Sequence, residues 1–256
     1  QSVYNAVFLT KFGKDSVENP VVLTSAPLAN IGLYDISVMP EGIFIYAGSK
    51  AREYFDRNGK RKQFPILDKK QQKLDILNEK LKRLVKKPEY EKFTLIGSGL
   101  QFKFGQTTIA RQDIAGSIDE KESLGFLDIV TKIVDETDPA HEFFRIEDTG
   151  KDIEIILTIE SEYADENLKD FDKGDGIFFL DKELNLQLET GPNLICGDTP
   201  SDIPMVTASM QRSSETVSVF VSKDKEIMKK VHSICPNSIF VSEPDILVSA
   251  LYLLAK

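Results

Sequence analysis

The sequence predicts an α/β chain, a parallel sheet with helices on both faces, carrying an inserted αβ cap. Three observations predict it. Short apolar runs such as Val21–Ser25, Leu194–Gly197 and Val217–Val221 alternate with helical patterns, as βαβ units do. Between Ser49 and about Glu162 that order gives way to a hairpin, a long helix, alternating strands, a second helix and a final strand. At 256 residues and 41% apolar content the chain can bury the cores of two lobes. The expected division is a core of residues 1–47 and 163–256 and a cap of residues 48–162.

Taken in order, Val3, Tyr4, Val7, Phe8 and Phe12 recur at helical spacing, with Ser2 placed to cap the start and Gly13 the end. Val21–Ser25 and Ile43–Tyr46 read as buried parallel strands. Gly59 marks a hairpin turn. Asp68–Lys87 reads as an amphipathic helix: Leu74, Leu77, Leu81, Leu84 and Val85 share one face, and the lysines form the wet one. Phe93–Phe104 is expected as a strand pair, Ile118–Val134 as a helix and Ile153–Ile159 as a strand. The acidic stretch Glu162–Asp170 is expected as a return hinge or surface loop. From Lys173 the alternation resumes through Leu194–Gly197, Val217–Val221 and Ile239–Val241 to a terminal helix, Pro244–Ala255.

Composition excludes several classes. A net charge of −9 opposes a phosphodiester backbone as partner, because nucleic-acid binding relies on clustered Lys and Arg. No apolar run approaches the roughly 18 residues of a membrane span, and no signal peptide opens the chain. Cys196 and Cys235 are the only cysteines, which fits a reduced compartment and a soluble, cytoplasmic protein. His141 and His232 lie in polar surroundings without Cys or Asp at zinc-ligand spacing. No Gly-x-Ser-x-Gly elbow is present, which argues against a serine nucleophile.

Asn193–Met205 is the most informative stretch. A strand there delivers Asp198 and Asp202 onto a tight Gly/Pro turn, where both carboxylates could face one Mg²⁺; the ordinary alternative is a strand end, with Asp202 capping a helix. Phe171–Leu180 places Lys173 beside glycines at the mouth of a helix, where an ammonium and backbone N–H groups can meet a phosphate, or where a solvated lysine simply ends a helix. Thr24 and Ser25 close the first strand with two hydroxyls, donors for phosphoryl oxygens or plain turn formers.

In that order the three segments resemble motifs two, three and four of the haloacid-dehalogenase-like (HAD) phosphatase superfamily. Ala47-Gly48-Ser49-Lys50-Ala51-Arg52-Glu53, followed by Asp56–Lys60, is similar to the Gly-x-His-Gly-x-Glu segment and hairpin of trehalose-6-phosphate phosphatases, and Gly97–Phe104 to that family's cap strand. The similarity runs from about Val3 to Lys256 and is strongest to the divergent nematode type. The resemblance implies a Rossmann-like HAD core with a closing cap. It implies a Mg²⁺-dependent phosphomonoesterase of trehalose biosynthesis whose partner is a phosphorylated sugar, trehalose 6-phosphate. Asp198 and Asp202 would hold the metal, Lys173, Ser25 and Thr24 would serve catalysis, and Lys50 and Glu53 would bind substrate. The rival is a catalytically inactive HAD-like domain that regulates, or binds within, a trehalose-phosphate synthase.

The chain departs from that pattern in instructive places. Ala26-Pro27 stands where the family continues Ser-Gly-Arg, Gly105 and Thr107 fall where the cap has His and Arg, and Lys50 replaces a His. Motif one, Asp-x-Asp-Gly-Thr, is missing from the sequence. Either Val7–Lys14 is its decayed form, with Thr10 and Phe12 in the places of the acids, or motif one lies upstream. Helical spacing, and Gln1 in place of an initiator Met, favour the second. On both readings this segment alone is expected to lack turnover and to bind Mg²⁺ weakly, since two carboxylates at most do not hold a reluctantly dehydrated ion. Asp15 is the nearest alternative nucleophile in sequence.

Overall fold

The computed structural model describes residues 3–28, 42–160 and 168–255. The chain divides into two compact units, Gln1–Phe64 with Asp172–Lys256, and Pro65–Phe171. It opens on α1 (Val3–Asp15), so the segment Val7–Lys14 is helical and does not place Thr10 and Phe12 at a strand end. The helix runs two residues past Gly13, the expected cap. Glycine is required there for packing instead: a Cβ would stand 2.7 Å from the Phe44 ring. Ser2 lies outside the described residues.

β1 (Val21–Leu23) and β2 (Ile45–Gly48) pair in parallel, with Val21 opposite Ile45 and Leu23 opposite Ala47. β3 (Glu53–Phe55) and β4 (Arg61–Gln63) extend this sheet as an antiparallel hairpin. Its turn needs Gly59, at φ +70°. The hairpin therefore belongs with the first strands, and the division falls after Phe64 rather than after residue 47. The cause is aromatic packing within the unit: Phe64 and Tyr54 both set their rings edge-on against Phe179, at 5.1 and 5.9 Å.

The inserted unit follows. α2 (Asp68–Val85) turns its leucines inward as the heptad-like spacing requires. β5 (Leu100–Lys103) and β6 (Gln106–Ala110) form a hairpin about Gly105, at φ +72°. The expected strand from Phe93 is shorter than foreseen, because Glu91–Thr94 winds into a 3-10 turn. That turn lays Phe93 flat on Phe126 of α3 (Glu120–Thr137), with ring centroids 3.7 Å apart. β7 (Phe144–Asp148) and β8 (Asp152–Glu160) complete an antiparallel sheet of order β5-β6-β8-β7. β9 (Leu168–Asp170) adds to β8; it is the described end of the acidic stretch expected as a hinge, whose residues 162–167 are not described. Leu77, Leu81, Phe93, Ile109, Val130, Ile153 and Ile155 form its core, fully withdrawn from solvent.

The chain then resumes the first unit with α4 (Lys173–Leu184), β10 (Asn193–Gly197), α5 (Ile203–Arg212) and β11 (Thr216–Val221). α6 (Lys225–Ile234), β12 (Ser238–Val241) and α7 (Pro244–Leu254) complete it. β10, β11 and β12 pair in parallel. α7 lies against α1, with Phe8 stacked on Tyr252 at 4.1 Å. Among the described residues β1 and β10 each end a sheet and do not pair with one another. Yet Leu23 of β1 and Ile195 of β10 pack on one cluster of Ile177, Leu188, Met205 and Ala208. No helix among the described residues is long and apolar enough to cross a membrane.

Candidate active site

Three strands of the first unit, β1, β2 and β10, end in the segments that the sequence marks for chemistry, and the first turn of α4 joins them. Past β1 the ladder continues into the loops: Thr24 N–H donates to Ala47 O at 2.9 Å, Lys50 N–H to Thr24 O at 3.0 Å and Ser49 N–H to Ala26 O at 2.8 Å. The Thr24 hydroxyl accepts from Ala26 N–H at 3.1 Å, which fixes its turn. Residues 24–26 and 49–50 are thus one hydrogen-bonded surface.

α4 begins against that surface because two glycines open its first turn. A Cβ on Gly176 would meet Lys50 O at 2.2 Å, and one on Gly174 would meet Pro204 O at 2.7 Å. Each glycine weakens a helix interior, by about 0.5–1 kcal/mol, and each is present because backbone from another segment passes there. The helix is secured by a capping box: Asp172 accepts from Gly174 and Asp175 N–H, and Asp175 accepts from Asp172 N–H at 3.0 Å.

Lys173 and Asp202 are 7% and 4% exposed and form a direct ion pair between the ammonium and Oδ1. Asp202 Oδ2 accepts from Asp198 N–H and Thr199 N–H, both at 3.0 Å, and from the Thr199 hydroxyl at 3.1 Å. Both oxygens of Asp202 are taken up by protein donors. It therefore holds Lys173 and the Asp198 turn. The Thr199-Pro200-Ser201-Asp202 string carries the signal for this, a capping box.

Asp198, by contrast, is exposed at the end of β10. Partial burial and the neighbouring Asp202 carboxylate raise its carboxyl above the usual range, and Lys173 opposes them. Burial also pushes Asp202 upward, but the Asp198 N–H and the Lys173 ammonium outweigh it and leave Asp202 below the usual range. Beside them, burial pushes the Cys196 thiol up to about 11, so it stays protonated and inert. Asp198 suits a hard cation as a single carboxylate. Among the described residues no group of three His, Cys, Asp or Glu could hold a metal, so these side chains alone do not make a Mg²⁺ cage.

Lys50 and Glu53 occupy the turn after β2. Glu53 is 3% exposed; its Oε1 accepts from Leu28 N–H at 3.0 Å and the Ser49 hydroxyl at 2.8 Å, and its Oε2 pairs with Arg61 at 2.7 Å. Its acceptor positions face protein, not an open site. Ser49, Lys50 and Ala51 are all left-handed, at φ 52, 62 and 70°. Sequence reasoning missed this, because a left-handed turn is ordinarily signalled by Gly, Asn or Asp, and none stands at these three positions.

The family model for the C-terminal part of trehalose-6-phosphate phosphatase matches residues 1–247. The chain is 33% identical over 98% of its length to an α,α-trehalose-phosphate synthase of Caenorhabditis elegans, spanning 21% of that protein. It is 30% identical over 98% of its length to a trehalose-phosphatase of Brugia malayi, spanning 51% of it. The chain thus spans about a fifth to a half of these curated relatives. Among solved structures, a trehalose-6-phosphate phosphatase related protein superposes at a TM-score of 0.63 with 11% identity, covering 98% of this chain and 85% of that one, a likeness of fold alone. With the family model matching nearly the whole chain, the chain belongs to the trehalose-6-phosphate phosphatase C-terminal family and has the HAD-type α/β fold.

Proposed function

We propose that this chain supplies the phosphate-binding and metal-facing half of a Mg²⁺-dependent phosphomonoesterase that releases phosphate from trehalose 6-phosphate. The observation that carries the reading is the junction at the first turn of α4, where the Thr24–Ala26 loop, the Lys50 turn and the Lys173–Asp202 pair meet within one unit. Thr24 and Ser25 donate to phosphoryl oxygens, and Lys50 is the candidate contact to the substrate. Lys173, held by Asp202, presents a fixed positive charge to the transferred group without reorganising during the reaction. Asp198 would be one ligand to Mg²⁺, which on binding supplies further charge neutralisation at phosphate.

The nucleophile is not among these groups. β1 and β10 are apolar, β-branched or Leu-rich and parallel to their neighbours, yet among the described residues both are edges, and both pack on one apolar cluster. We place between them a parallel strand from outside residues 1–256, and assign to its end the aspartyl nucleophile. The synthase relatives favour a second reading, a non-catalytic module within a trehalose-phosphate synthase.

Phosphate release from trehalose 6-phosphate by the full-length protein separates the two. Turnover that Asp198→Ala lowers by roughly 10³-fold, in line with losing several kcal/mol of metal-centred stabilisation, supports the enzyme. No turnover in the unaltered protein supports the binding module, and full activity of the variant removes Asp198 from the site.

A further inference from the structure

The turn after β2 holds three successive non-glycine residues in the left-handed region, all buried. Side chains disfavour this conformation at each position, and a run of them persists only where the surroundings over-determine it. Two backbone bonds help, from Ser49 N–H to Ala26 O and from Lys50 N–H to Thr24 O. The side chain that ties the head of the turn to its surroundings is Glu53. One oxygen draws in the Ser49 hydroxyl, at the head of the left-handed run, together with Leu28 N–H, beyond the Thr24–Ala26 loop. The other is held by Arg61, across the hairpin.

We infer that Glu53 is a positioning residue: its carboxylate clamps the left-handed turn to the Thr24–Leu28 loop and so sets where Lys50 stands beside Thr24. The inference rests on the phosphatase reading only for its consequence in turnover; the clamp itself is a property of this chain. It replaces direct substrate binding by Glu53, whose oxygens already carry three protein donors. The function of the strain is placement. The left-handed turn leaves Lys50 backbone-bonded to the hydroxyl loop.

The discriminating experiment is rescue by glycine in the full-length protein. Glu53→Ala removes the clamp; adding Ala51→Gly removes the penalty the clamp opposes, with no new group for a substrate. Expected is a loss of about 10–100-fold in kcat/KM for Glu53→Ala, of which Ala51→Gly restores about tenfold, as a misplaced group costs and a relieved left-handed residue returns. In parallel, hydrogen exchange at the Ser49 and Lys50 amides should accelerate in Glu53→Ala and slow again in the double variant. Glu53→Gln, which keeps an acceptor for Ser49 and Leu28, should retain both protection and activity within about threefold. If Glu53→Ala does not fold, that variant decides: lost activity with a protected turn overturns the clamp. Protected amides in Glu53→Ala, or turnover that glycine does not restore while protection returns, overturn it as well. Should the unaltered protein release no phosphate, the phosphatase reading fails, and amide exchange alone decides on Glu53.

Discussion

In the inserted unit, β6 and β8 are flanked on both sides and their core residues Ile109, Ile153 and Ile155 are fully buried; in the other unit β1 is only half-buried throughout and Leu194 of β10 is exposed. Composition does not explain the difference. Val21-Val22-Leu23 and Leu194-Ile195-Cys196 are as apolar as interior parallel strands, which bury both faces, whereas edge strands are usually blunted with charge or proline. β11, flanked by β10 and β12, shows what such a strand does when enclosed: Ser218, Val219 and Phe220 are all buried. The inserted unit thus satisfies its own sheet, and the unit with the candidate site holds two interior-type strands that are edges among the described residues.

Stability should divide along the same line. Phe126→Ala removes the ring stacked on Phe93 and is expected to cost the inserted unit about 3–5 kcal/mol in urea unfolding, leaving the Lys173–Asp202 turn intact. Asp202→Ala strands a buried ammonium and is expected to cost the other unit about 3–5 kcal/mol, most of it recovered when Lys173→Met is added. Equal loss in the single and double variants would show that the pair is not what holds the Asp198 turn.

Acid should act unequally. Asp148 in the inserted unit is held below its usual range chiefly by the Arg111 hydrogen bond, so its contribution is present above the ordinary carboxylate value, 3.8, and is lost as pH falls through the lowered one. Asp202 behaves likewise. Asp198 has the opposite sign: its raised value costs stability when ionised, and protonation on acidification relieves it. The unfolding midpoint of the inserted unit should therefore hold down to about the ordinary carboxylate value and fall below it, and the fall should be shallower in Asp148→Asn. An equal fall in that variant would remove Asp148 from the acid response.

The smallest effect is expected at Ala51. With Glu53 in place, Ala51→Gly relieves about 1–2 kcal/mol of left-handed strain but loses a buried methyl worth about 0.8 kcal/mol and gains unfolded-chain entropy, so stability should move by less than about 1 kcal/mol. A loss above about 2 kcal/mol would mean the turn is not strained.

Local pattern made much of this legible. The spacing of Val3, Val7 and Phe8 identifies α1 as a helix, and the leucines of α2 and the glycine of the β3–β4 hairpin stand where their periodicity and turn chemistry place them. Features set by distant partners were not legible. Lys173 and Asp202 are 29 residues apart, and neither neighbourhood declares that the two neutralise each other instead of a ligand. The hairpin lies past Gly48 in sequence, on the side of the cap; only the meeting of Tyr54 and Phe64 with Phe179 joins it to the first unit. β7 is hidden in the sequence because its alternation is short and breaks at Asp148, whose charge partner is the distant Arg111.

The open edges give the most direct test of the whole account. Asn193 N–H and Thr24 N–H point to their paired neighbours, so by alternation the amides of Val21, Leu23, Leu194 and Cys196 point to the unpaired side. Hydrogen exchange on residues 1–256 alone, compared with the full-length protein, reads whether a strand fills the space between β1 and β10. The expected result is rapid exchange at those four amides in residues 1–256 and protection in the full-length protein, with β6 and β8 protected in both. Rapid exchange in both, or equal protection in both, would contradict a strand supplied from outside these residues and, with it, the proposed origin of the nucleophile.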